Sequence, residues 1–94
     1  MKHGRRDANH AEIKSAFLSV GCSVHDTADV GDGFPDLVVG VAGANLLVEV
    51  KTPTGEHTPE QVRFFDEWRG SHYTVRSTDQ AIALVMSVRR SMRK

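Results

Sequence analysis

The chain has 94 residues, 39% of them apolar and 26% charged, with a formal net charge of zero and one cysteine. That length supports one modest hydrophobic core, so a single domain over residues 1–94 is expected, and the lone Cys22 excludes an internal disulfide and suits a reducing compartment. No run approaches the roughly 20 apolar residues of a membrane span, and Met1-Lys2-His3-Gly4-Arg5-Arg6 lacks the apolar stretch of a signal peptide, so a cytoplasmic protein without membrane contact is expected.

Along the chain, Ile13, Ala16, Phe17 and Val20 recur at helical spacing from about Asn9 to Val20, and Gly21 supplies a stop. Cys22 and Val24 then read as buried positions of a short first strand. Asp29-Val30-Gly31-Asp32-Gly33 is a loop whose glycines allow close approach of the backbone to a metal or phosphate. Residues 35–51 read as a hairpin: Leu37-Val38-Val39-Gly40-Val41 and Leu46-Leu47-Val48 are the apolar arms, and Ala42-Gly43-Ala44-Asn45 is the turn. Thr58-Pro59-Glu60-Gln61 opens a second helix with a hydroxyl cap, Pro at the first position and Gln three after the cap. Its stripe of Phe64, Phe65 and Trp68 reads as core rather than as base-stacking residues. Tyr73-Thr74-Val75 is a fourth strand, and Ser77-Thr78-Asp79-Gln80 has capping-box spacing before Ala81, Leu84, Val85 and Val88. The order is helix, three strands, helix, strand, helix.

The hairpin carries the chemistry. Successive strand residues point to opposite faces, so Glu49 and Lys51 share a side, and folding back at the turn brings Asp36 level with Glu49. A hard cation such as Mg2+ takes oxygen ligands and keeps several waters, so Asp36, Glu49 and the Val50 carbonyl form a plausible protein share of its shell. The metal would polarise a phosphodiester, and Lys51 would orient water or offset charge developing on phosphate. The same residues also fit a solvent-facing Glu49–Lys51 ion pair with Asp36 as the polar start of a strand.

Taken together, Gly33-Phe34-Pro35-Asp36-Leu37-Val38-Val39, Leu47-Val48-Glu49-Val50-Lys51 and Thr58-Pro59-Glu60-Gln61 resemble the PD-(D/E)xK nuclease superfamily, and within it the VRR-NUC (virus-type replication-repair nuclease) family, over about residues 7 to 85. The resemblance implies an α/β fold with a restriction-endonuclease-like core, a mixed four-stranded sheet flanked by helices in the order αβββαβα. It implies a Mg2+- or Mn2+-dependent endodeoxyribonuclease in which Asp36, Glu49 and the Val50 carbonyl bind metal and Lys51 assists catalysis. A Glu on the helix before the strands and a Gln after the Glu-x-Lys motif also belong to the pattern, matched by Glu12 and Gln61. Glu12 has a second reading, because it falls three residues after Asn9 and suits a helix cap; Gln61 likewise suits the cap of its own helix. Small relatives of this kind act as homodimers on branched DNA such as Holliday junctions, which makes DNA the expected partner; Met86, Met92 and the edge strand are candidates for a dimer surface.

The charge distribution qualifies the neutral total. Lys2, Arg5, Arg6 and Arg89, Arg90, Arg93, Lys94 make both ends basic, whereas residues 7–79 hold all twelve acids against five basic residues. The basic ends suit a grip on phosphates or simply solvated tails. His3, His10, His25, His57 and His72 lack the paired spacing of a zinc site, and His57 reads as an exposed loop residue. A DNA-binding module without turnover, or a subunit whose partner supplies DNA grip, is the competing class; the intact Asp36, Glu49 and Lys51 set argues for catalysis.

Overall fold

The computed structural model describes residues 3–93, with side chains from residue 9 onward. The elements are α1 (His3–Ser19), β1 (Ser23–Asp26), β2 (Leu37–Val41), β3 (Ala44–Val50), α2 (Pro59–Glu67), β4 (His72–Val75) and α3 (Thr78–Met92), in the expected order. The sheet runs β1-β2-β3-β4. Its first three strands form an antiparallel meander, and β4 lies parallel to β3. A parallel neighbour needs a crossover, and the segment containing α2 supplies it.

Period-two alternation divides the sheet. Leu37 pairs with Val48, and Val50 pairs with Val75, so these residues share a face with Val39, Val41 and Leu46. That face packs on Ile13 and Phe17 of α1 and on Ala81, Val85 and Val88 of α3 in one buried cluster. Ile13 and Phe17 are fully buried, each contributing about 2 to 3 kcal/mol. The intervening positions, Asp36, Glu49 and Thr74, belong to the opposite face, where α2 lies. Cys22 is buried in this core as expected, one residue ahead of β1.

Two expectations are corrected. Helix α1 begins at His3, so Asn9 lies inside it and caps nothing; the Arg5, Arg6 and Ala8 that precede it are good helix formers. The hairpin turn is two residues rather than four, because Ala44 and Asn45 already belong to β3. Ala42 and Gly43 have φ of 55° and 82°, the doubly positive pattern of a primed turn, whose twist matches that of the flanking strands. Gly33 has a positive φ of 80°. A Cβ there would run into the Glu60 carbonyl, so this glycine lets the loop before β2 seat against the first turn of α2.

Alanine at φ 55° bears a steric cost of about 1 to 2 kcal/mol that Asn largely avoids. Ala42→Asn therefore raises stability by about 1 kcal/mol, read as a higher urea midpoint at unchanged m-value.

Candidate active site

The antiparallel register puts Asp36, one residue ahead of the Leu37–Val48 pair, opposite Glu49 at the end of β3. Both carboxylates are buried, with exposures of 3% and 2%. Burying an ionised carboxylate costs several kcal/mol unless hydrogen bonds and opposite charge offset it. The neighbours supply both. The Val50 N–H donates to Asp36 Oδ2 at 2.9 Å, the Gln61 Nε2 donates to Glu49 Oε2 at 2.8 Å, and Lys51 Nζ lies 3.8 Å from the same Glu49 oxygen. Glu49 and Lys51 are thus not a solvent-facing pair: Lys51 is itself largely buried, and the two line one cleft of about 320 Å3 with Thr52, Gly55, Thr58 and Gln61. Asp36 lines an adjoining cleft of about 280 Å3 that shares Thr58 and Gln61.

Both readings of Gln61 hold at once. Thr58 caps α2 by accepting from the Gln61 N–H at 3.2 Å, and Gln61 Oε1 accepts from the Thr58 N–H at 2.9 Å, which completes the capping box. The acceptor end of the amide is committed to the cap, so its donor end is the one presented to Glu49. Helix start and acidic site are joined through one side chain.

Glu12 lies elsewhere. It is exposed on α1 and lines a shallow groove with Ser15, Ser19 and Thr78, on the side where α1 meets the start of α3. Among the described α1 side chains, Asn9 reaches the site, its Nδ2 donating to the Lys51 carbonyl at 2.8 Å. Helical geometry explains the difference: Asn9, Ile13 and Phe17 recur at four-residue intervals along the stripe laid on the sheet, and Glu12 falls beside it.

Nor do the aromatic residues of α2 join the core. No residue of α2 is buried, and Trp68 at its C-cap is 42% exposed. They form a satellite cluster: Phe64 meets Phe34 edge-on at 5.3 Å and stacks with Trp68 at 5.2 Å, while Phe65 stacks on His72 at 4.2 Å. The stripe faces the polar end of the sheet rather than its apolar face. His57, expected to be an exposed loop residue, is half-buried, packs edge-on against Phe65 and bonds through Nε2 with Thr74 Oγ1 at 2.8 Å. Of the basic ends, Lys2, Lys94 and the side chains of Arg5 and Arg6 lie outside the described residues, whereas Arg89 turns inward and donates to the Val20 carbonyl. Asn9 and Thr74 could not be found from sequence spacing, because their partners are 42 residues away in one case and 17 in the other.

A protein-family comparison identifies this geometry. The VRR-NUC domain model matches residues 3–80. The chain belongs to the VRR-NUC family. Among solved structures, one described as a VRR_NUC domain is 27% identical, covers 85% of this chain and 92% of its own, and superposes with a TM-score of 0.70. No curated protein matches the chain significantly. A VRR-NUC domain is a nuclease domain, so the fold, nuclease class and DNA as substrate follow. No helix among the described residues is long and apolar enough to cross a membrane.

A divalent metal is implied by this family, and the residues fit one. Among the described residues, no three His, Cys, Asp or Glu side chains gather into a ligand group. What the site offers is two buried hard carboxylates at adjoining clefts, the share of a Mg2+ or Mn2+ shell that leaves the other positions to water and substrate. A cation there would also relieve the repulsion between two buried acids.

Burial, with the nearby positive charges of Lys51 and Arg76, holds the His57 imidazole below its ordinary 6.5. As pH falls through 6.5 the unfolded chain takes up this proton before the folded one, so the folded state loses stability on that acid side and loses nothing above it. His57→Phe, which keeps a ring beside Phe65, should show a smaller drop in melting temperature between about pH 7.5 and 5.5 than the wild type. Equal drops would show that His57 does not contribute.

Proposed function

We propose that this VRR-NUC domain is a Mg2+- or Mn2+-dependent DNA endonuclease that acts on branched DNA, four-way junctions among them, as a homodimer in the cytoplasm. The observation that carries the catalytic reading is the pair of buried carboxylates, Asp36 and Glu49, with the Lys51 ammonium 3.8 Å from one of them. In this reading Asp36, Glu49 and the Val50 carbonyl hold the metal, and Glu12 takes no part. The bound cation would supply Lewis-acid polarisation of the phosphodiester and acidify an attacking water.

The protein's own groups do the rest. Lys51, held in the cleft rather than in bulk water, presents a fixed positive charge where a phosphate develops extra negative charge, and low local dielectric makes that charge count for more. Gln61 keeps one Glu49 oxygen in place without adding charge. Val50 does the same for Asp36 through its N–H. Branched DNA and dimerisation are supported by the likeness to small junction resolvases, and by β4 at the sheet edge together with Met86 and Met92, which are 45% and 50% exposed on α3.

Purified protein with Mg2+ or Mn2+, tested against linear duplex, single-stranded, flap and four-way-junction DNA, should cut the junction best, and EDTA should abolish cutting. Lys51→Ala should lower kcat roughly a hundredfold or more while Mn2+ still raises the melting temperature. In Asp36→Asn that rise should largely vanish, because a cation binding only the folded state at a hundred times its Kd adds about 2.7 kcal/mol. An equal Mn2+ shift in wild type and Asp36→Asn at concentrations that support cutting would remove Asp36 from the ligand set.

Light scattering should give about twice the 10.4 kDa chain mass at micromolar protein. A 10.4 kDa particle with and without junction DNA would reject the dimer.

A further inference from the structure

We propose that Arg76 is a positioning residue for Lys51, acting by clamping the loop that runs from the catalytic strand to the cap of α2; this rests on the nuclease reading above. The parallel pair ends with Val50 opposite Val75, and the Lys51 N–H donates to the Val75 carbonyl at 3.1 Å. Lys51 and Arg76 therefore leave the sheet side by side, and the alternation that gives Glu49 and Thr74 a common face gives Lys51 and Arg76 the same one. The Arg76 guanidinium is directed to the loop: Nη1 donates to the Thr52 carbonyl at 2.8 Å and to the Gly55 carbonyl at 2.7 Å.

Those two carbonyls belong to the segment Thr52-Pro53-Thr54-Gly55-Glu56-His57, in which Pro53, Thr54 and Glu56 are exposed. Within itself the segment closes a tight turn, with the Gly55 N–H donating to the Thr52 carbonyl at 3.2 Å and space for a Gly55 Cβ taken by Thr52 Oγ1. A short turn of this kind has little apolar burial to hold it against local opening. Its fastenings come from β4 and just beyond: Arg76 grips one end, and Thr74 meets His57 at the other. Arg76 is anchored in turn, since its own N–H donates to Gln80 Oε1 at 2.7 Å in the first turn of α3. Thr52 and Gly55 line the same cleft as Glu49, Lys51 and Gln61. The guanidinium thus ties the wall of the site to the α3 cap, and charge-assisted bonds to carbonyls are the stronger kind. A nearby Arg76 charge is also one of the causes that hold the His57 imidazole below its ordinary 6.5.

The test compares wild type, Arg76→Met and Arg76→Lys, reading kcat and KM on junction DNA with Mn2+ and, separately, amide hydrogen exchange without DNA. Arg76→Met should lower kcat tenfold or more with KM within about twofold, and Arg76→Lys, which keeps the charge and can reach a carbonyl, should recover part of the loss. In Arg76→Met the amides of residues 51–57 should exchange at least tenfold faster while those of β2 and β3 stay protected. Unchanged exchange in that segment overturns the clamp even if no cutting is detected in any form. A KM rise at unchanged kcat assigns Arg76 to DNA grip and overturns positioning, as does a kcat within twofold of wild type in Arg76→Met. If Arg76→Met does not fold, Arg76→Lys decides: full wild-type kcat and exchange rates would mean that any cation at this position suffices and the bidentate clamp is not needed.

Discussion

Two carboxylates withdrawn from water at the end of one strand pair are the constraint around which this molecule is arranged. An isolated buried carboxylate is unfavourable by several kcal/mol, and two side by side repel as well. Each of the surrounding contacts answers that cost in a different currency. A backbone N–H from Val50 serves Asp36; an amide from Gln61 and an ammonium from Lys51 serve Glu49. Two buried acids held in this way are compatible with the divalent metal that the nuclease family generally uses.

The sheet makes this possible by separating two solvents. Its α1/α3 face is continuous hydrocarbon from Leu37 and Val48 to Val75, and that face supplies the stability. The other face is left thinly covered by a nine-residue helix none of whose residues is buried. Helix α2 is too short to be stable alone and buries too little to be fixed by hydrophobic packing. What orders it is polar: the capping box, the Gln61–Glu49 bond, the close seating of Gly33 on its first turn and an aromatic cluster at its side. The most loosely anchored element is therefore also the one that closes the site, which suits an enzyme that must admit and release a large substrate.

Several residues serve the fold and the candidate site together. Gln61 caps the start of α2 and holds a carboxylate. Asn9, half-buried in α1, binds the carbonyl of Lys51, so the helix that fills the core also fixes the exit of β3.

The sequence alone determined the element order, the pairing of Asp36 with Glu49, the shared side of Glu49 and Lys51, and the cap at Thr58. All four follow from short-range regularities: strand alternation, helix periodicity and capping stereochemistry act within a few residues and are written in local spacing. Tertiary structure alone decided which α1 residue faces the site, since Asn9 and Glu12 lie on neighbouring helical positions and only the seating of α1 on the sheet distinguishes them. It likewise decided that the Phe64–Trp68 stripe forms a satellite rather than core, because an apolar stripe specifies that a helix must cover something but not which face of a sheet receives it. The loop fastenings at Arg76 and Thr74 were invisible for the same reason. Their partners are brought together by the parallel β3–β4 register, a long-range pairing that no local pattern encodes.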